Sequence, residues 1–418
     1  DFFLHHHHHD HEHTAIPPVD TATSPIIQVE PFNNLIQDQQ IAYLAEGLQA
    51  QLISDLSHYP ILRVRFGGVV AKGPLPEGQR PADFSLRGTV IDLGGTVRLT
   101  LLLVDERDSN ILWSTVREVD TQSGETHREM LESVQSIVAN LGATSGILQA
   151  QALREVDLHR QRAPEPTQIS SFECILRWRA YDSYKNNADR EAVHTCLREL
   201  TENGTQDGSI WAAHAFLTFL DWTKQTDLTD IEALDNALIA ANRAIQLSPD
   251  ESTSHEYLAS ILMARGDLDT ALQSYARAAT LNPSNPDVRV LLGWNRILRG
   301  DWENGVADVR MGLTISPNPP GWFRIPLSMD AFRQGDYRAA LSQADLMIIS
   351  GDERGIPLAL AAAIRLEDMV AIERYQQMLA QSELNQEYPF GSIKAVLNMP
   401  HVVSKYLAAL EAEMPNQF

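Results

Sequence analysis

Three prolines at intervals of 34 residues constrain the fold of this chain more than any other feature. Pro249, Pro283 and Pro317 each end a similar phrase, AIQLSP, ATLNP and LTISP. Each proline marks the end of a helix, because its ring cannot continue one. A period of this length is typical of helix-turn-helix repeats that stack and bury one continuous core. The period therefore predicts an all-α solenoid in the second part of the chain.

The residues inside each repeat also fit a helix-turn-helix unit. Small residues recur where two antiparallel helices must approach closely, at Ala259, Ala271 and Ala278 and again at Gly293, Gly305 and Gly312. Gly-Asp pairs at 266–267, 300–301 and 335–336 predict the turns, since glycine readily adopts the backbone that ends a helix. In these positions the chain resembles the tetratricopeptide repeat.

Helical segments extend the array in both directions, so that it is expected to cover residues 168–418. Further helix pairs are predicted at 172–184 with 189–202, 211–222 with 231–247, and 357–366 with 370–382. The last amphipathic segment, 401–413, is expected to cap the stack, because terminal repeats must cover an exposed apolar face.

The first third of the chain has a different pattern, which predicts an α+β domain over residues 25–160. Short apolar runs alternate with turn residues, and two helical stripes at 40–59 and 127–141 interrupt them. The expected order is roughly β-α-β-β-β-α, with antiparallel hairpins around the turns at 92–95 and 105–110. The segment 160–167 contains two prolines and is interpreted as the domain boundary.

Several motifs of this first domain resemble the TolB amino-terminal-like domain. They are PFNNL at 31–35, AEGL at 45–48, DFSLRGTV at 83–90, RLT at 98–100, LVD at 103–105 and LWS at 112–114. In bacteria such a domain typically directly precedes tetratricopeptide repeats. The combination resembles the extracytoplasmic part of CadC-type membrane-anchored transcription regulators, or of similarly built membrane adenylate cyclases.

The resemblance implies a periplasmic sensory or protein-interaction module, anchored in the inner membrane by a segment that is absent here. Its partner would be a protein or peptide, and a homodimer is an open alternative. The chain shows no winged-helix domain, cyclase domain or initiator Met, so we expect a fragment or processed form. Two other classes stay open: a freestanding periplasmic adaptor that docks onto a larger complex, and a metal-capturing protein.

Charge and motif content exclude some function classes. The formal net charge is −22, from 33 Lys and Arg against 55 Asp and Glu, so this piece alone is not expected to bind nucleic acid. The sequence has no phosphate-binding GxxxxGK(S/T) loop, no HExxH motif and no GxSxG elbow. On these grounds the chain is expected to lack an enzymatic role.

Residues 1–24 form a histidine-rich tail that is either flexible and native or a purification tag. Neutral imidazoles with interleaved carboxylates would bind Zn²⁺, Ni²⁺ or Cu²⁺. The candidate ligands are His5, His6, His7, His8, His9, His11 and His13. No other cofactor is predicted.

Two further sets of residues are candidate sites. Cys174 and Cys196 lie on the two helices of one predicted hairpin and form either a disulfide or two buried thiols. The extracytoplasmic setting implied by the resemblance favours the disulfide. The first helix of each repeat is expected to line a partner-binding groove with Glu256, Ser260, Met263, Val290, Trp294, Ile297, Trp322, Ile325, Met329 and Phe332. The alternative is that these side chains pack in the core.

Overall fold

A computed structural model describes residues 24–67, 78–143, 146–162, 169–184, 187–223, 234–316 and 318–382. Several predicted features lie outside these residues: the histidine-rich run, residues 163–167 of the expected domain boundary, Pro317 and the expected cap at 401–413. Within them the chain is an α+β domain followed by an all-α solenoid of helical hairpins, which confirms the predicted fold class.

The α+β domain is built on one mixed sheet. Its elements are β1 (Ile26–Val29), β2 (Asn33–Asn34), α1 (Gln39–Leu56), β3 (Arg63–Phe66), β4 (Phe84–Asp92), β5 (Thr96–Asp105), β6 (Ile111–Asp120), α2 (Thr126–Gly142) and α3 (Ile147–Arg162). The strand order is β3-β1-β4-β5-β6, with the short β2 pairing with β4. β1 is parallel to β3 and β4, whereas β4-β5 and β5-β6 are the two predicted antiparallel hairpins.

Alternation along the strands decides which face of the sheet is covered. In β5, Leu99 and Leu101 are buried, while Arg98 and Thr100, which alternate with them, stay partly accessible. The buried face packs against Leu52 of α1 and the inward stripe of α2. The opposite face of β4, β5 and β6 is therefore the open one.

The solenoid is a series of antiparallel helix pairs. Its helices are α4 (Ser171–Tyr184), α5 (Asn187–Glu202), α6 (Gly208–Thr223), α7 (Asp235–Leu247), α8 (Ser252–Ala264), α9 (Leu268–Leu281), α10 (Pro286–Leu298), α11 (Trp302–Ile315), α12 (Ile325–Arg333), α13 (Tyr337–Ile349), α14 (Gly355–Arg365) and α15 (Met369–Gln381). A 3₁₀ turn, Gly321–Arg324, leads into α12.

The helices form two layers with different burial. In the inner helix α14 every residue from Gly355 to Ala363 is buried, because it has neighbours on all sides. The outer helix α9 buries only Ala271, Tyr275 and Ala278, one face of the helix. The inner helices are therefore covered on most sides, whereas the outer helices leave one face open to solvent.

The Gly-Asp pairs form the turns as predicted. Gly266 and Gly300 have φ of 87° and 89°, and the N–H of Asp267 donates to the carbonyl oxygen of Leu262 at 2.9 Å. In the later turns the aspartate then caps the next helix; the Asp301 side chain, for example, accepts from the N–H of Asn304. In the turn before α15 the left-handed position is occupied by Glu367, at φ 56°.

Gly293 and Gly305 let α10 and α11 pack backbone to backbone. A Cβ on Gly305 would lie 2.6 Å from the carbonyl oxygen of Gly293, closer than real Cβ atoms approach. A larger side chain at either position would separate the helices. The small residues predicted at these positions therefore serve close packing.

Cys174 and Cys196 form a disulfide between α4 and α5, with Cα atoms 6.1 Å apart. Both cysteines are buried beside Trp178 and Val193 in the core of the first helix pair. The bond closes a segment with a sequence separation of 22, which in the chain-entropy model stabilises by about 3 kcal/mol.

The α+β domain has more elements than the expected order β-α-β-β-β-α, with six strands and three helices among the described residues. The strand β2 has only two residues, too few for a sequence pattern. The helix α3 runs to Arg162, so the expected domain end at residue 160 falls in its last turn.

Among the residues that the structure describes, no helix combines the length and apolar character of a membrane span.

Candidate functional site

The predicted groove residues do not line an open groove. Eight of the ten are buried: Glu256, Ser260, Met263, Val290, Trp294, Ile297, Ile325 and Met329. Trp322 and Phe332 are only partly buried and pack against the same core. Trp294 and the other buried residues pack in the core, which was the stated alternative to the groove, because inner helices contact their neighbours on both sides.

The α+β domain instead meets the carboxyl-terminal half of α4 and the amino-terminal ends of α8 and α10. The Tyr59 hydroxyl, just after α1, donates to the carbonyl oxygen of Ser284, just before α10, at 3.1 Å. Arg179 of α4 donates to the carbonyl oxygen of Gly142 at the end of α2, at 3.4 Å. A Cβ on Gly142 would come within 2.8 Å of the Tyr59 ring, so glycine makes room for it. We call this contact region the polar joint.

A small cavity of about 40 Å³ lies in the polar joint. The α+β domain contributes His58, Tyr59, Pro60 and Ala143 to its walls. The repeats contribute Arg179, Asp182, Ser252, Thr253, Glu256, Tyr257, Asn282, Asn285, Pro286, Asp287 and Pro320. A cavity of this size holds one or a few water molecules or a similarly small polar group.

Glu256 is the most deeply buried acid of the joint. Burial raises the pKa of its carboxyl well above the ordinary value, and the carboxylates of Asp287 and Asp182 raise it further. A hydrogen bond from Asn285 at 3.0 Å and the charge of Arg179 act in the opposite direction. The joint thus brings three carboxyl groups towards one guanidinium group.

Burial also perturbs the other ionisable groups here. It lowers the pKa of the Arg179 guanidinium, against the effects of Tyr257, Tyr59 and nearby carboxylates. It raises the pKa of the Tyr59 hydroxyl above its ordinary range. Burial likewise raises the pKa of the Tyr257 hydroxyl, so both tyrosines are neutral donors or acceptors at physiological pH.

Aromatic packing holds the repeat side of the joint in place. The Tyr257 ring stacks on Phe216 with centroids 4.3 Å apart, and the indole N–H of Trp178 donates to the Tyr257 hydroxyl at 3.2 Å. The residues of three helices, α4, α6 and α8, are fixed together in this way. These contacts fix the position of α8 and therefore the position of Glu256, the residue before Tyr257.

Several buried polar atoms of the joint have no hydrogen-bond partner among the described residues. They are the side-chain oxygens of Asn282 and Ser284 and Nδ1 of His58. Such groups are normally satisfied by protein, water or a ligand. The arrangement is suited to hold a small polar molecule between the two domains. Across the described ranges, no group of three or more His, Cys, Asp or Glu could hold a metal ion.

Comparison with curated proteins finds similarity to "Putative adenylate cyclase 3" of Rhizobium meliloti (strain 1021). The two are 24% identical over 269 residues, which is 61% of this chain and 43% of that protein. The chain therefore spans less than half the length of this curated relative. No family model matches the chain.

This similarity contradicts the expectation that the chain has no enzymatic role. That expectation rested on missing local motifs, whereas the relative carries the name of an enzyme. Motif absence could not exclude the association, since a cyclase activity can belong to a part of the relative that the match does not cover.

Solved structures with related helical arrays are more distant. "Functional Characterization of Pseudomonas Aeruginosa pilF" has a TM-score of 0.37 at 17% identity, covering 52% of this chain and 95% of that one. The APC/C hetero-tetramer Cut9-Hcn1 has a TM-score of 0.42 at 13% identity, with coverages of 70% and 58%. YrrB, described as a TPR protein with an unusual peptide-binding site, has 0.29 at 17%, with coverages of 52% and 97%.

Proposed function

We propose that this chain is the sensory and protein-interaction module of a larger signalling protein held at a membrane. The observation that carries the proposal is the polar joint, where two differently built domains meet through buried ionisable groups. We also propose that the first domain is a TolB amino-terminal-like domain and that the two domains are arranged as in CadC-type regulators. The repeats would present the module to a protein or peptide partner.

A joint of this kind responds to its surroundings. Burying charges at an interface is costly, and the balance changes whenever a proton, a small ligand or a partner alters one of them. A ligand shifts such an equilibrium only by its differential affinity for the two arrangements. The Tyr59–Ser284 hydrogen bond links the domains directly at this point.

The proposed location is the periplasm. The Cys174–Cys196 disulfide supports it, because disulfides persist in oxidising compartments and are rare in the cytosol. Histidine-tail metal binding stays a separate hypothesis, since those residues lie outside the described ranges.

The proposed output is cyclic nucleotide synthesis by the full-length protein. The name of the curated relative supports this choice. Because this chain spans only 43% of that relative, the activity is proposed for the full-length protein and not for this chain. A DNA-binding output of the CadC type is the alternative suggested by the sequence motifs.

The joint is tested by Tyr59→Phe in the full-length protein, with cellular cyclic AMP as the readout. The variant keeps the ring but removes the donor to Ser284. Tyr43→Phe in the exposed surface of α1 is the matched control. We expect Tyr59→Phe alone to change cyclic AMP at equal expression. Equal output from both variants would contradict the coupling, and a wild-type protein that makes no cyclic AMP would exclude the cyclase output.

A further inference from the structure

Strand β6 forms one edge of the sheet, with β5 as its only strand neighbour among the described residues. The outward backbone groups of its last residue, Asp120, are already hydrogen-bonded to residues of this chain. The N–H of Asp120 donates to Oε2 of Glu129 at 2.9 Å, and its carbonyl oxygen accepts from the Thr126 hydroxyl at 2.8 Å. Helix α2 thus ends the free edge at Asp120.

The remaining outward groups of β6 follow from strand geometry. Backbone N–H and C=O groups alternate in direction along an antiparallel strand, so residues two apart point the same way. Ser114, Val116 and Glu118 therefore direct their backbone groups away from β5, as Asp120 does. The guanidinium of Arg117 lies 3.4 Å from the carbonyl oxygen of Val116, consistent with that direction.

The side chains of this edge are also unusual for an isolated strand. Val116 is 54% exposed on the open face of the sheet, and Ile111 is 60% exposed at the start of the strand. From Trp113 to Asp120 the strand has neither proline nor glycine, and its register with β5 is regular after the irregularity near Val104. Long regular edges of this kind are templates for pairing with another strand.

We propose that β6 pairs antiparallel with β6 of a second copy of this chain, about a two-fold axis at Val116. This goes beyond the proposed function, because it assigns a specific surface and partner to self-association. The two sheets would become one continuous sheet with both open faces on the same side.

Symmetry restricts the register of this pairing. A two-fold axis normal to the sheet relates the strands, so opposed residues must lie on the same face and their numbers must sum to an even value. With Val116 on the axis, Val116 opposes its own copy, Ser114 opposes Glu118 and Thr115 opposes Arg117. Trp113 then opposes Val119, an apolar pair on the helix-covered face.

Charge complementarity favours this register over its neighbours. The Ser114 hydroxyl can donate to the Glu118 carboxylate of the second copy, which already pairs with Arg98 of its own chain at 2.8 Å. Moving the axis to Arg117 would oppose two guanidinium groups, which is destabilising. Moving it to Thr115 or to Ser114 would place a polar residue against its own copy on the axis. The Val116 register opposes no like charges from Ser114 to Glu118 and places an apolar pair, Val116 with its copy, at its centre.

Cysteine crosslinking of the full chain tests the register. Val116→Cys should form an intermolecular disulfide with oxidised glutathione, because residues opposed across two strands lie within disulfide reach. Ile111→Cys is the matched control: it lies on the same strand with similar exposure but about 30 Å from its own copy in this register. The native cysteines are buried and already bonded to each other.

We expect Val116→Cys to crosslink at least tenfold faster than Ile111→Cys. A mixture of Ser114→Cys and Glu118→Cys chains should also crosslink, whereas each alone should not. Equal rates for Val116→Cys and Ile111→Cys would overturn the proposal, as would a mixture no more reactive than its components. Val116→Lys places two ammonium groups on the axis and should reduce the dimer fraction in sedimentation velocity; a wild-type chain that is monomeric at every concentration would contradict the pairing.

Discussion

Replacing Glu256 by glutamine tests the electrostatics of the polar joint. Glu256 is 4% exposed, and burial is the main cause that raises the pKa of its carboxyl, followed by Asp287 and Asp182. The folded state therefore holds the proton more tightly than the unfolded chain. Glutamine keeps the oxygen that accepts from Asn285 and never ionises.

The sign and size of the effect follow from proton linkage. Stability from a raised acid pKa is fully present below the unfolded pKa, near 4.5, and is lost as the pH rises through the folded pKa. Between these two pKa values, the free energy of unfolding of the wild type falls by up to about 1.4 kcal/mol for each pH unit, because one proton is involved. The Glu256→Gln variant should not lose this stability, so it should become increasingly more stable than the wild type as the pH rises above about 4.5.

The assay is urea unfolding of both proteins from pH 4.5 to pH 8, with the free energy of unfolding compared at each pH. Glu303→Gln, on the exposed face of α11, is the control and should leave the pH dependence of the wild type unchanged. Parallel curves for Glu256→Gln and the wild type would show that folding does not shift the pKa of Glu256, contrary to this prediction.

Other substitutions test the packing of the helices, each by urea unfolding. Gly305→Ala should lower the free energy of unfolding by about 1–3 kcal/mol, because the methyl meets the backbone of α10. Gly47→Ala has open space and should stabilise by about 0.5–1 kcal/mol, and equal effects of the two would contradict the close approach. Glu367→Gly should stabilise by up to about 1 kcal/mol by relieving the left-handed backbone; a loss of stability would refute strain there. Trp294→Ala should lower the free energy of unfolding by about 3–5 kcal/mol. A decrease below about 1 kcal/mol would contradict the burial of Trp294 and favour the open groove.

The helical array was predictable because its determinants are local and repeated. The 34-residue period, the Gly-Asp turns and the small residues at helix contacts all act within one hairpin. The helix α3 was missed although it carries a narrow apolar stripe, Leu148, Ala152 and Val156, at intervals of four. That stripe was the signal that could have found it.

The polar joint had no such signal. Tyr59 and Ser284 are 225 positions apart, and their contact depends on how the α+β domain docks onto the repeats. Nine of the ten groove residues lie on inner helices, and Trp322 lies in the 3₁₀ turn before α12. Their burial depends on the neighbouring helices and on this docking. Periodicity identifies a helix face; it does not determine what covers that face.

The central claim, that this chain is a module of a larger membrane-held signalling protein, is tested most directly by intact mass spectrometry of the native protein from membrane and soluble fractions. We expect a membrane-bound species substantially longer than 418 residues. A soluble species of this length as the main native form would contradict it and favour a freestanding adaptor.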